Sequence, residues 1–282
     1  MNKPLIRYGI GVSLLLVGSC FSSGTPSDSA EPVRNTIKIG GSAETYKVLK
    51  LLTNAYTTTA PDVGFDFFPP SQTSAAIQGI KSRSLDIGAI SRPLTSEEAQ
   101  HQLTYLTLAE TPLVMVVHNS VIGISDITSD QIRAIYSGQI TNWQTLGGPD
   151  APIALFDFTE DENEKKLLRR TYLGEDLVIT PTAIVFSEDD ELAETAAITE
   201  FSIATIPYEK ELAERPFTIL SIDQIVPSPQ ALRSGDYAMV LPLGIVMEAP
   251  PSPDIQSFLD FATSPESKRI LQGANYVVTD TQ

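Results

Sequence analysis

The sequence TIKIGGSAETYKVLKLLTNAYTTTAPDVGFDFFP, at residues 36–69, predicts a strand, a helix and a second strand in succession. TIKIG alternates apolar and polar side chains, and Val48 and Leu52 recur at helical spacing after it. A further helix is predicted at about 74–82, before the apolar strand LDIGAIS at 85–91. Strand, helix, strand, helix, strand at this spacing indicates an open, mostly parallel α/β sheet. Ligands of such sheets bind outside the carboxyl ends of the strands.

The rest of the chain continues as strands and helices. LTYLTLAETPLVMVVHNS at 103–120 predicts two strands, and a second α/β unit begins near His118. PIALFDF at 152–158 predicts another strand, which is followed by the helical sequence DENEKKLLRRTYL at 161–173. The strand and helix pattern therefore extends over both halves of the chain.

The N-terminal sequence predicts export. A basic flank and a short apolar run indicate a signal peptide over residues 1–19, because the run is shorter than the roughly 20 apolar residues of a membrane-spanning helix. LLLVGSC at 14–20 resembles a bacterial lipobox, in which Cys20 is lipidated and begins the mature chain. Ordinary cleavage beside an incidental cysteine is the alternative. The polar sequence at 21–35 predicts a flexible tether.

The composition and the motifs argue against several classes of function. The chain has 35 Asp and Glu against 19 Lys and Arg, and its formal charge of −16 disfavours nucleic-acid binding. His101 and His118 do not form a metal-ligand spacing, and the sequence has no nucleophile elbow, phosphate-binding loop or dinucleotide fingerprint. Acidic clusters at 160–164 and 188–191 lack the spacing of a calcium loop and are expected to be solvated helix ends. We therefore expect no enzymatic activity, no metal and no cofactor.

Five segments together resemble the phosphate-binding proteins that supply ABC transporters. They are GSAETYKVLKLLTNAY (41–56), LDIGAISRPLTSEE (85–98), ITSDQIRAIYSGQITNWQTLGGPDAPI (127–153), SIDQIVPSPQALRSGDYAMVLPLGIVM (221–247) and FLDFATSPESKRIL (258–271). Their order and spacing match the family over most of residues 36–280. IYSGQITNW together with GGPDAPI is the most specific part of this match.

The resemblance implies a particular architecture. The fold would be α/β and two-lobed, of the type II periplasmic-binding-protein kind, with open mixed sheets. The ligand would lie in a cleft between the lobes, which close about a hinge. The first lobe would comprise residues 36–117 and 235–282, and the second lobe residues 118–234.

The resemblance also implies an anion site built from three loops. An anion in such a cleft is held by backbone N–H groups at helix starts, short hydroxyl side chains and an arginine. The loops GSAETY, PPSQTSAAI and ISRP place these residues where the family contacts its anion: Ser42, Thr45, Tyr46, Thr73, Ser74, Ser91 and Arg92. Pro70, Ser71 and Ala76 replace the glycines of the family's second loop. A salt bridge at the rim is the alternative role for Arg92.

A fourth family element departs from the pattern. The family's R-x-x-x-S-G-T-R falls on FTEDENEK, which places these residues at positions of the family's anion site: Phe158, Glu162, Asn163, Glu164 and Lys165. Carboxylates at a helix start gain roughly 0.3–1 kcal/mol each from the macrodipole, but they oppose a phosphate there. Two interpretations stay open. Either the segment only caps a helix and phosphate binds through the first three loops, or the second lobe has lost its half of the anion site.

Together these features predict an exported solute-binding protein, lipid-anchored in the periplasm or at the cell surface, that binds phosphate or a related small oxyanion for ABC-type import. Its expected partners are this anion and the subunits of an ABC permease. We expect a monomer that contacts the membrane through its N-terminal lipid only and binds no nucleic acid. The alternative is a divergent accessory or sensory protein of the same fold that has lost phosphate binding.

Overall fold

The computed structural model describes residues 35–100 and 102–278. The predicted signal peptide, the predicted lipidation site at Cys20, nearly all of the predicted tether, and His101 lie outside these residues. Among the described helices, none combines the length and the apolar character needed to cross a bilayer.

The described chain begins with the predicted alternation of strands and helices. In order these are β1 (Asn35–Gly41), α1 (Ala43–Thr59), β2 (Val63–Phe67), α2 (Thr73–Lys81) and β3 (Ile87–Ile90). β1 lies in the middle and pairs in parallel with both β2 and β3. The short parallel strands and their crossover helices confirm the α/β class predicted from the sequence.

The remaining strands and α-helices complete a mixed architecture. They are β4 (Leu103–His118), β5 (Asp126–Ile127), α3 (Ser129–Tyr136), β6 (Ala154–Phe158), α4 (Asn163–Leu168), β7 (Ile184–Phe186), α5 (Asp189–Ile198), β8 (Ser202–Pro207), β9 (Phe217–Ile219), β10 (Ser221–Ile222), α6 (Pro229–Ser234), β11 (Val240–Glu248), α7 (Pro253–Ala262) and α8 (Pro265–Gly273). The main sheet has the order β2-β1-β3-β11-β4-β8-β6-β7, and β9 also pairs with β4. β11 is antiparallel to β3 and β4, so the sheet is mixed.

The sequence predicted two strands at 103–120, and the structure corrects this to one long strand, β4. Residues Leu103–Pro112 of this strand pair with β11, whereas residues Leu113–His118 pair with β8 and β9. Pro112 lies at the change of partner, where the hydrogen-bond ladder is interrupted and proline's missing N–H is tolerated. A polar and proline-containing interruption in the sequence therefore marks a change of partner and not the end of a strand.

Buried apolar side chains form a separate core on each half of the main sheet. The first core includes Ile39, Leu49, Leu52, Ile245 and Phe258. The second includes Met115, Trp143, Leu168, Ile203 and Tyr237. Two smaller clusters lie beside these cores: one packs α2 against β3 and β11, and the other packs β7 and α5 against β6 and β8. We call the elements packed on the first core, with α2, the first lobe, and those packed on the second core, with β7 and α5, the second lobe. The residue limits that the sequence implied for the lobes stay a prediction.

β4 and β11 contribute to both cores. In β4, Ala109 belongs to the first core and Leu113 belongs to the second core. In β11, Leu241 belongs to the second core and Leu243 belongs to the first core. These two paired strands therefore connect the lobes.

A buried ion pair lies in the second lobe, between β6 and α4. The Lys165 side chain is fully buried, and its Nζ donates a hydrogen bond to Oδ2 of Asp157. The same Nζ lies 5.2 Å from the ring centroid of Tyr136. Burial raises the pKa of Asp157, and the charge of Lys165 opposes this rise. The pair therefore belongs to the interior of the lobe.

Removing one member of this pair should destabilise the fold. In a Lys165→Met variant, Asp157 would be left buried without its counter-charge, and we expect the free energy of unfolding to fall by about 3–5 kcal/mol. Urea denaturation measures this change. The neighbouring Lys166→Met variant is the control, because Lys166 is exposed and should change the free energy by less than about 0.5 kcal/mol. Equal losses in the two variants would contradict the buried pair.

Candidate ligand-binding site

A cavity of about 210 Å³ lies between the two lobes. It is lined by Ser42, Ala43, Pro70, Ser71, Gln72, Thr73, Ser91, Glu162, Asn163, Glu164, Ser187, Glu188 and Asp189. Ser42, Ser91 and Ser187 directly follow β1, β3 and β7 in the chain. The cavity therefore lies outside the carboxyl ends of strands from both lobes, where the α/β pattern predicts a ligand.

Four helices begin at this cavity, and their first turns share one feature. α1, α2, α4 and α5 begin without a hydrogen bond from an N-cap side chain. The other four described α-helices are capped by side-chain oxygens, which belong to Thr128, Ser228, Ser252 and Ser264. The first N–H groups of a helix have no carbonyl partner within it, so uncapped starts keep free donors. The sequence thus leaves donors free at the cavity and caps the helices elsewhere in the described chain.

Two hydroxyl groups of the first lobe are held as donors. Asn163 Nδ2, from the second lobe, donates to Thr73 Oγ1 at 2.9 Å and to Ser91 Oγ at 2.6 Å. The backbone N–H of Ser91 also donates to Thr73 Oγ1, at 3.2 Å. Both lone pairs of the Thr73 hydroxyl are therefore occupied, and its O–H can act only as a donor. No residue within the described part of the chain accepts a hydrogen bond from either hydroxyl.

Carboxyl groups form the opposite side of the cavity. Glu162, Glu164, Glu188 and Asp189 all line it, and Glu164 is only 4% exposed. Burial raises the pKa of Glu164 to about 7, and the negative charge of Glu44 adds to this rise. Burial also raises the pKa of Asp189 well above its ordinary value. The predicted solvated helix end is therefore wrong for Glu164, which is buried, whereas most acidic residues of the two clusters are exposed as expected: Glu160, Asp161, Glu188, Asp190 and Glu191.

Three of the seven residues predicted to contact an anion line the cavity, namely Ser42, Thr73 and Ser91. Thr45 and Tyr46 face the interior of the first lobe instead. Thr45 Oγ1 donates to the carbonyl of Ile90 at 3.0 Å, and the Tyr46 hydroxyl donates to the carbonyl of Phe68 at 3.0 Å. Ser74 is exposed and lies outside the lining.

Arg92 does not line the cavity, because its guanidinium is engaged elsewhere. Nη1 and Nη2 each donate to a carboxylate oxygen of Glu98 at 2.8 Å, and Nη1 also donates to the carbonyl of Pro93 at 2.9 Å. These bonds hold the pKa of Glu98 at about 2. The structure therefore places Arg92 in the salt bridge that the sequence left as its alternative role.

The positions that depart from the family pattern divide into two groups. Glu162, Asn163 and Glu164 line the cavity, and the two glutamates stand at the start of α4 as the sequence predicted. Phe158 is buried in a smaller apolar cluster of the second lobe, with Phe156 and Phe186, and Lys165 forms the ion pair with Asp157. Within the described chain, no lysine or arginine side chain lines the cavity.

Sequence reasoning missed several residues of the site. Gln72 bridges the lobes, because its Nε2 donates to Asp161 Oδ2 at 2.6 Å and to Glu162 Oε1 at 3.2 Å. Glu188 and Asp189 also line the cavity. Their position shortly after the apolar sequence IVF, with Ser187 between, was the available signal, since residues after a parallel strand lie at its carboxyl end.

Comparison with known proteins identifies the same architecture. The chain is 24% identical over 250 residues to the phosphate-binding protein PstS of Borreliella burgdorferi, covering 86% of this chain and 89% of that protein. It is similar to the solved structure of a putative phosphate ABC transporter substrate-binding protein with bound phosphate from Clostridium perfringens. The TM-score is 0.79 and the identity 24%, over 87% of this chain and all of the other. An ABC-type phosphate transport receptor from Vibrio cholerae has a TM-score of 0.70 and 23% identity, over 86% of this chain and 100% of the receptor.

These structures share the mixed α/β, periplasmic-binding-protein-like fold of this chain, which confirms the predicted fold class. The sequence profile of the PBP superfamily domain matches residues 26–266, which is most of the chain. The chain belongs to the PBP superfamily.

Proposed function

We propose that this chain is an extracytoplasmic solute-binding protein that captures phosphate or a related small oxyanion and delivers it to the permease subunits of an ABC importer. The observation that carries the proposal is the set of four uncapped helix starts at one cavity. Similarity to proteins that are named as phosphate-binding components of ABC transport supports the same role. No step of this role requires an enzymatic reaction.

The anion would be held mainly by neutral donors. The first N–H groups of α1 and α2 and the O–H groups of Thr73 and Ser91 supply hydrogen bonds without a side-chain cation. The positive ends of helix dipoles favour an anion at this position. Charge-assisted hydrogen bonds from backbone and hydroxyl groups are about twice as strong as bonds between neutral groups.

Contacts across the cleft would couple binding to closure of the lobes. Asn163 joins the second lobe to Thr73 and Ser91, and Gln72 joins the first lobe to Asp161. A ligand that contacts both sides of the cavity would stabilise this closed arrangement relative to an open one. We expect a permease to distinguish the loaded from the empty protein by this difference.

The cellular setting of the proposal comes from the N-terminal sequence. We propose export, lipidation at Cys20 and a flexible tether that holds the binding domain near the membrane. The anchor would be the only membrane contact of a monomeric protein. A single lipid chain gives weak membrane binding, so a second acyl group at the same cysteine would be needed for stable attachment.

One observation favours a second candidate function. The cavity contains four carboxyl groups and no lysine or arginine among the described residues that line it. A divergent accessory or sensory protein that has lost phosphate binding would tolerate this arrangement. Ligand binding by the purified protein distinguishes the two candidates.

The Thr73 hydroxyl should be required for oxyanion binding. We expect phosphate or a small phosphonate to raise the melting temperature of the full chain, because a ligand of the folded state adds about 2.7 kcal/mol of stability at a hundredfold excess over Kd.

Thr73→Val removes a donor to a charged group and should weaken binding tenfold or more in calorimetric titration. Thr58→Val, at an exposed position of α1, is the control. No shift with any oxyanion would instead favour the accessory role.

Oxyanion binding should weaken as the pH rises through about 7, because Glu164 is neutral below its pKa and repels an anion above it. Sulfate and methanesulfonate are suitable probes, since their charge does not change near neutral pH. Glu164 faces Glu44 on α1, Glu162 and Lys166 on its own segment, and Asp189 on α5. Burial raises the pKa of Asp189 as well, and the negative charge of Glu164 adds to this rise.

A Glu164→Gln variant keeps the shape of the side chain and should flatten the pH dependence measured by titration calorimetry. Glu266→Gln is the matched control, because Glu266 also lies in the first turn of a helix but is exposed and does not line the cavity. A Kd that is the same on both sides of pH 7 in the unmodified protein would contradict the role given to Glu164.

A further inference from the structure

The polar side chains of the cavity keep hydrogen-bonding capacity that the described residues do not use, and this capacity indicates what the ligand must supply. On the first-lobe side, the hydroxyls of Thr73 and Ser91 are 2% and 3% exposed. Asn163 Nδ2 donates to both hydroxyl oxygens, at 2.9 and 2.6 Å. Their protons are left to donate, and a buried donor without an acceptor is costly. This side of the cavity therefore requires a ligand group that accepts hydrogen bonds, as an oxyanion does.

The second-lobe side requires the opposite chemistry. The Glu164 carboxyl is buried, and within the described residues the hydrogen bond it receives comes from its own backbone N–H. No described lysine or arginine forms an ion pair with it. Asp189, which is half-buried and shares a hydrogen bond with the Glu44 carboxyl, adds a second carboxyl at the same cavity. Buried carboxyl groups are usually paired or hydrogen-bonded, so this side requires a ligand group that donates hydrogen bonds and carries positive charge.

The cations nearest to these carboxyl groups are engaged elsewhere. Lys47 Nζ binds Glu44 at 2.6 Å and also binds Glu209. Lys165 Nζ binds Asp157 inside the second lobe. Lys166 is exposed, and its Nζ donates to a backbone carbonyl. The protein therefore does not supply the missing counter-charge from these side chains.

Helix capping alone does not explain the position of Glu164. Asp130 and Glu266 also lie in the first turns of helices, and both are exposed to solvent. An exposed carboxylate there gains the macrodipole interaction without losing its hydration. Glu164 loses that hydration, so its burial at a cavity needs a further cause.

The charge of the cavity argues against phosphate as the whole ligand. Phosphate alone would add negative charge to a cavity that already holds four carboxyl groups. A ligand that also carries a positive charge would offset this repulsion.

We propose that the ligand is a small zwitterion in which an oxyanion group and a protonated amine are joined by a short spacer. The oxyanion binds Thr73, Ser91 and the starts of α1 and α2, and the amine binds Glu164 and Asp189. This inference rests on the proposed function and names the ligand class of the same cavity.

A matched pair of ligands tests the inference on the full chain. Aminoethylphosphonate and propylphosphonate have the same size, and differ in that a methyl group replaces the ammonium group. At neutral pH we expect calorimetric titration to give a Kd at least tenfold lower for aminoethylphosphonate, with inorganic phosphate as the reference. Glu164→Gln should bring the ratio of the two Kd values towards one. Glu266→Gln should leave the ratio unchanged.

The possible results separate the inference from the proposed function. Equal or tighter binding of propylphosphonate would overturn the inference, and the oxyanion-binding function would stand. Failure of phosphate and of both phosphonates to bind would overturn the function and the inference together. Because the ligand pair is compared on the unmodified protein, the test does not depend on the folding of the Glu164 variant.

Discussion

The pairing of β4 with β11 is the constraint on which the binding site depends. Both strands contribute side chains to both cores, so they connect the first lobe to the second. This connection sets the lobes with the carboxyl ends of β1 and β3 opposite that of β7. The N-termini of four helices therefore lie at one cavity. The backbone N–H groups and the side chains of their first turns determine the chemistry of the site.

Local periodicity was sufficient to predict the first part of the fold but not the long strand. The order from β1 to β3 depends on apolar spacing within short segments, which the sequence displays directly. The continuity of β4 depends on its partners, which lie more than eighty residues further along the chain, so local patterning around Pro112 could not predict it. The resemblance to a known family supplied the two-lobed arrangement that local patterning could not.

The site was predictable where residues lie at the ends of elements. Ser42 and Ser91 directly follow strands, and Thr73 begins a helix, so the topology fixes their positions. Thr45 and Tyr46 lie further along α1. Successive side chains of a helix are rotated by about 100° around its axis, and these two point into the interior of the lobe. Charged residues were the least predictable, because their role depends on a partner. Arg92 binds Glu98, and Lys165 binds Asp157.

Opposing effects act on the carboxyl groups that replace the family's anion donors. The helix macrodipole favours the ionised carboxylate, whereas burial favours the neutral acid. At Glu164 burial is the larger effect, because the pKa rises despite the position in the first turn of α4. A buried carboxyl without a counter-charge lowers the stability of the folded state. Groups that destabilise the fold in this way are concentrated at functional sites. The segment that weakens the resemblance to phosphate-binding proteins therefore strengthens the case that the cavity has a ligand of its own.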